Sequence, residues 1–292
     1  MQPEAFFLPA LAAQTSQSDQ RFCLFYPAEC AASGGAARGL VLYIHPFAEE
    51  MNKARHMAAL QARALARAGY AVLQMDLLGC GDSSGDFGDA SWQSWVSDVL
   101  QGCHWLRKQS NTPGADSAQL PLWLWGLRAG CLLAVEAARQ LGAPCNFLFW
   151  QPPAAGRPLL QQFLRLKVAG DLLGGQAKGV MESMRQHLAN GSPVEIAGYL
   201  LSPGLASGLE QAALVPPAGP GPTQRLEWFE LSTREDAGLS PVSTKTITQW
   251  QQAGYRVGSH IVHGPAFWQT TEIEDAPALI TATTAAVFAT SA

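Results

Sequence analysis

The chain has 292 residues, with 19 Lys and Arg against 23 Asp and Glu and a formal net charge of −4. With no long basic run, that balance argues against a nucleic-acid partner, and no uninterrupted apolar stretch of about 18 residues predicts a membrane span. A hydrophobic fraction of 48% suits a substantial buried core, in one large domain carrying an insertion. Residues 1–11 include an apolar stretch but no leading Lys or Arg, so no signal peptide is expected and the cytoplasm is the expected compartment. Cys23, Cys30, Cys80, Cys103, Cys131 and Cys145 form no CxxC pair, so free buried thiols are expected in place of disulfides. Nothing in the sequence implies a metal or a cofactor, and oligomeric state is left open.

In chain order, apolar runs predict a short first strand at 6–8 and strands at 22–26, 40–45, 71–76, 122–125, 147–150, 226–231 and 256–262. Helical patterns fall at 57–68, 92–107, 129–141, 242–253 and 276–289, with Gly69 as a C-cap. Stretches 31–38 and 110–118 read as connecting loops. Strand and helix thus alternate, the pattern of a mostly parallel eight-stranded sheet with helices on both faces, an α/β class. Residues 151–222 break the rhythm with helical segments at 159–173 and 178–188 and a loose stretch ending at Pro222. They read as a helical cap inserted into a core of 1–150 and 223–292, because pockets in open α/β sheets lie at the carboxyl ends of strands.

The chemistry-bearing segments follow those strand ends. After strand 122–125, Gly126 and Gly130 bracket a tight turn into a helix, the geometry of a Gly-x-Ser-x-Gly nucleophile elbow. The central residue is Arg128, whose guanidinium stays protonated and cannot attack a carbonyl. After strand 40–45 comes His45-Pro46-Phe47, where Pro46 has no N–H to offer an oxyanion and Phe47 could still donate. Glu49, Glu50, Asn52, Lys53 and Arg55 follow, either a mixed-charge helix start or part of a pocket. Asp76-Leu-Leu-Gly-Cys-Gly-Asp82-Ser83-Ser84 is a glycine-bearing turn that Asp76 and Asp82 would hold; no base stands near Ser83 or Ser84 to activate it. Cys131, one turn into the helix after Arg128, reads as core packing.

Candidate acid and base come later. Asp236, with Glu235 beside it, follows strand 226–231; His263 precedes Gly264 after the last strand, either shifted into use or idle in its loop. The Ser-His-Asp set is therefore broken: no nucleophile, a displaced base and a surviving acid. Catalytic candidates reduce to Glu49, Glu50, Asp236 and His263. Ligand-binding candidates are Arg128 with its neighbours Leu127 and Ala129, and His45, Phe47, Glu49, Glu50 and Asn52.

Four strings together, His45-Pro-Phe-Ala-Glu-Glu-Met-Asn-Lys53, Leu78-Gly-Cys-Gly-Asp-Ser83, Trp123-Leu-Trp-Gly-Leu-Arg128 and Phe267-Trp-Gln269, resemble one subgroup of α/β-hydrolase-fold proteins. It is the exosortase A system-associated hydrolase 2 group, encoded near bacterial exopolysaccharide and protein-sorting loci. Phe149-Trp-Gln-Pro152 and Gln162-Phe-Leu-Arg-Leu166 are also similar to that group. The resemblance implies an α/β-hydrolase fold with a cap, and an arginine at the elbow as a feature of the group. Fold does not fix function, and three readings stand. An anionic or acyl small molecule binds beneath the cap, with Arg128 as its recognition group. Alternatively, Glu49 or Glu50 activates water in a non-serine hydrolase or transferase. Or the pocket is filled and the protein is a scaffold that binds partners.

Overall fold

The computed structural model describes residues 2–10, 19–29, 37–109, 120–173, 179–218 and 223–289. Met1, Leu11, Cys30, the loop read at 110–118 and most of that at 31–38 lie outside them, as do Lys178 and Pro222, which bounded two segments of the insertion. Eight strands form one sheet: β1 (Glu4–Pro9), β2 (Gln20–Tyr26), β3 (Gly39–Ile44), β4 (Tyr70–Met75), β5 (Leu122–Leu127), β6 (Asn146–Trp150), β9 (Arg225–Ser232) and β10 (Arg256–His263). Their order is β1-β2-β4-β3-β5-β6-β9-β10. β1 pairs antiparallel with β2, and β2 with β4; every other pairing is parallel. The central strands β3 (GLVLYI) and β5 (LWLWGL) are buried throughout, as a parallel sheet covered on both faces requires.

Helices cover each face. On one, α1 (Glu49–Arg67) and α8 (Pro277–Phe288) pack Ala54, Met57, Ala58 and Leu279 against Val41, Tyr43, Val72, Trp125 and Trp150. On the other, α2 (Trp92–Gln109), α3 (Ala129–Leu141) and α7 (Pro241–Gln252) bury Trp95, Val99, Leu132 and Trp250 against Leu42, Leu73, Leu124 and Phe147. Full burial of one such Leu or Phe contributes about 1.5–3 kcal/mol, so the two layers dominate stability.

Between β6 and β9 lie α4 (Arg157–Leu173), α5 (Val180–Ala189), the hairpin β7 (Val194–Ile196) and β8 (Tyr199–Leu201), and α6 (Pro203–Gln211). The hairpin and α6 were not legible as elements, yet each has a local cause. Ala197 and Gly198 hold φ of 49° and 85°, the paired positive angles of a tight hairpin turn. Ser202 caps α6 by accepting the Leu205 N–H at 3.1 Å, and Pro203 starts it with a preset φ. The first helix begins at Glu49, eight residues before the expected 57, because the charged string is the solvent-edged first turns of α1 and not a loop. The five described cysteines are free and buried. No helix among the described residues is long and apolar enough to cross a membrane.

Candidate functional site

Backbone strain gathers at one end of the sheet. Ala48, Arg128 and Gln151 hold φ of 50°, 54° and 45° without being glycine, and each lies beyond the carboxyl end of a strand, β3, β5 and β6 respectively. Such angles cost about 1–3 kcal/mol each and persist where surrounding structure over-determines them. At the centre stands Arg128, between the last residue of β5 and the first of α3, its N–H donating to the Trp150 carbonyl at 3.0 Å. Its two glycines are demanded by space: a Cβ on Gly126 would meet the Cys131 nitrogen at 2.5 Å, and one on Gly130 the Ile44 oxygen at 2.2 Å. Cys131 faces inward, its Sγ 3.2 Å from the Gly126 carbonyl, and burial pushes its thiol well above the usual range.

The guanidinium reaches across to α1. Nε lies 3.3 and 3.4 Å from the two Glu50 oxygens, Nη2 lies 3.1 Å from Oε1, and Nη2 also donates to Gln162 Oε1 of α4 at 3.0 Å. The Trp268 ring lies 5.9 Å from the guanidinium carbon, within cation–π range. Nη1 has no partner among the described residues. Burial pushes the Glu50 carboxyl up, against the pull of Arg128 and a Gln269 hydrogen bond. Both side chains are largely buried, at 13% and 10% exposure, so the pair has little solvent to screen it.

Beside this pair, Glu49 presents a buried Oε2 with no hydrogen-bond partner. Burial also raises the Glu49 carboxyl, offset in part by its own backbone N–H and Lys53. Phe47, Glu49, Glu50, Leu159, Gln162 and Phe163 enclose a cavity of about 20 Å³, room for a single water and no more. A cleft of about 840 Å³ lies around Tyr70, Pro121 and Asn146, at the amino ends of the strands. Its position argues against a role in chemistry, because open α/β sheets place ligands at the carboxyl ends.

The structure brings together Arg128, Glu50, Glu49 and Phe47, and no described hydrogen bond or ion pair joins the other candidates to Arg128 or Glu50. His45 is buried with both nitrogens engaged: Nδ1–H donates to the Pro46 carbonyl at 2.8 Å and Nε2 accepts the Leu77 N–H at 3.3 Å. Leu127 and Ala129 are packed in the core on either side of Arg128, and Asn52 is exposed on α1. Asp236 is exposed and pairs with Arg234 at 3.1 Å, while the exposed His263 side chain makes no hydrogen bond to a described residue. Asp76 does hold its turn, accepting the Asp82 N–H at 3.1 Å and pairing with Arg55 at 2.9 Å; the exposed Asp82 side chain does not share that task. Ser83 and Ser84 bind backbone, accepting the Phe22 and Gln20 N–H groups at 2.9 Å each. Gln162, Trp268 and Gln269, which complete the shell of Arg128 and Glu50, carried no sequence signal beyond the resemblance.

His45 yields a pH prediction. Burial lowers its imidazole below the ordinary histidine range, and protonation would set an Nε2–H against the Leu77 N–H. A histidine depressed on folding gives stability that is present above the unfolded value, about 6.5, and is lost as pH falls toward the folded one. Each pH unit in that window costs about 1.4 kcal/mol. Urea unfolding at pH 7.5 and 5.5 is expected to show a larger acid loss for wild type than for His45→Gln; equal losses would refute it.

Comparison with known proteins agrees with the fold. Residues 35–173 match the family model described as serine aminopeptidase, S33. Among solved structures, Est1E from Butyrivibrio proteoclasticus with ferulic acid bound matches at TM-score 0.65 and 15% identity, covering 97% of this chain and 98% of its own. The fold is that of the α/β-hydrolases. A thermostable carboxyl esterase from Bacillus coagulans in complex with glycerol gives 0.60 and 14%, covering 99% and 97%. A soluble variant of monoglyceride lipase from Saccharomyces cerevisiae with a substrate analog gives 0.58 and 14%, covering 98% and 94%. No curated protein matches by sequence. At such identities the likeness to an α/β-hydrolase carries architecture and not reaction.

Proposed function

We propose that this is a non-hydrolytic α/β-hydrolase-fold protein of bacterial exopolysaccharide and exosortase systems, acting by binding a small acyl or anionic molecule at the elbow. One observation carries the reading: the elbow holds Arg128, locked to Glu50, where catalysis requires a nucleophile. The exopolysaccharide and exosortase link rests on the resemblance of the Phe47-to-Lys53 and Trp123-to-Arg128 strings. In this reading residues 151–222 form the cap, since α4 supplies Gln162 and Phe163 over the elbow. A ligand carboxylate or acyl carbonyl would take the open Nη1 edge and draw α4 aside, because a cavity of about 20 Å³ is too small for such a molecule.

A second reading has its own support. Glu49, a raised carboxylate whose Oε2 has no partner, beside a water-sized cavity, has the attributes of a general base acting on water. p-Nitrophenyl esters of short and long acyl chains separate the two. Wild type is expected to stay at the buffer rate, and Glu50→Gln, which frees the guanidinium, is expected to bind decanoate about tenfold more tightly. Wild-type turnover that survives Arg128→Ser but vanishes in Glu49→Gln would overturn the binding reading in favour of a carboxylate enzyme.

A further inference from the structure

Away from the elbow, a cavity of about 170 Å³ lies under α1, over the face of β2, β4 and β3. Its walls are largely apolar: Phe22 and Leu24 from β2, Tyr43 from β3, and Met51 and Ala58 from α1. Four polar residues, His45, Arg55, Asp76 and Gln74, also line it, and the last of them is out of place. Gln74 stands in register between Leu24 and Tyr43, in the middle of an apolar row on a covered sheet face. Its Oε1 accepts from the Tyr26 hydroxyl at 3.3 Å, and its Nε2 is buried with no partner. Turning the amide over exchanges the two atoms and still leaves one of them unsatisfied. Buried polar groups are overwhelmingly paired, so an orphan amide edge on a cavity wall needs a reason. The Tyr43 hydroxyl likewise has no partner among the described residues.

We infer that this cavity is a binding site for a small, uncharged, mostly apolar molecule with one hydroxyl or carbonyl group, of the phenol class. Size and chemistry each narrow the class. An apolar cavity of about 150 Å³ accommodates benzene, so one ring fits here and a long acyl chain does not. The orphan Gln74 edge and Tyr43 hydroxyl call for one polar group on the ligand. The charges at the rim are already spent, with Arg55 bound to Asp76 at 2.9 Å, so an ionic ligand would find no unpaired counter-charge. The site is separate from the Arg128 elbow and stands whether or not the elbow binds anything. It shares helix α1 with that elbow, for Met51 directly follows Glu50.

The test uses the whole chain with ¹³C-methyl methionine, titrated with 4-fluorophenol. Met51 lines the cavity from α1, whereas Met75 turns its methyl to the opposite sheet face, toward Gly102 of α2, and Met181 and Met184 belong to α5. The expected result is a saturable shift at Met51 and none at Met181 and Met184, with a dissociation constant in the roughly millimolar range for so small a ligand. Fluorobenzene is expected to bind about tenfold more weakly, and Gln74→Leu to weaken 4-fluorophenol by a similar factor. An unmoved Met51 methyl at saturating 4-fluorophenol would overturn the site. Equal affinity for fluorobenzene, or for the folded Gln74→Leu protein, would overturn the assigned ligand class.

Discussion

Replacing Glu50 with alanine is expected to destabilise the protein by about 3 kcal/mol, the lower end of what removing one partner of a buried ion pair costs. The reason is the guanidinium left behind. Arg128 cannot shed its charge, and it occupies the N-cap of α3, where the helix already presents partial positive charge. Glu50 offsets that charge from the first turn of α1, a position its own helix dipole favours. Gln162 Oε1 and the Trp268 face remain, which is why the expected loss sits at the lower end. Arg128→Met alone should cost a comparable amount by stranding Glu50, while the double variant Arg128→Met/Glu50→Leu should recover most of it, an apolar pair needing no compensation. Urea unfolding of the four proteins closes the cycle. Strict additivity of the two single losses would show that these side chains do not act as a unit.

That pairing also explains why the sequence exposed half of the site. The elbow was readable because its constraints are local: an apolar strand, two glycines four residues apart, and a helix rich in alanine and leucine. Ala129–Leu141 was bounded to the residue for that reason. The sheet was equally legible, with fully buried β3 and β5 read as unbroken apolar runs. Glu50 could be nominated from its place after a strand end, but nothing local says that its carboxylate crosses to Arg128, 78 positions away. Gln162 and Gln269 were less accessible still, being polar residues of ordinary kind whose role exists only after α4 and the loop past β10 have packed. Asp236 and His263 show the converse. Asp236 follows its strand as a catalytic acid would, and His263 precedes the glycine of its loop, displaced from a base's place; both are exposed, and no described contact joins either to Arg128.

The helix after the elbow offers a sharper test of how much of this architecture is steric. Gly130→Ala is expected to lose at least about 3 kcal/mol, the upper range for overpacking, and to deplete the folded protein at 37 °C. The added methyl would sit 2.2 Å from the Ile44 carbonyl oxygen and 2.9 Å from that of His45. Both are backbone of the strand β3 and the turn after it, which cannot give way as the end of a flexible side chain would. Relief would require α3 to withdraw from β3, carrying Arg128 off Glu50 and weakening the ion pair as well. Gly142, at the other end of α3, is the matched control: its φ is 63° and nothing lies within 4 Å of an added Cβ. Gly142→Ala therefore meets only the left-handed backbone penalty, about 1–2 kcal/mol. Thermal unfolding of the two variants should rank Gly130→Ala well below Gly142→Ala; the reverse order would mean that α3 is free to move, and that the elbow is not a rigid platform.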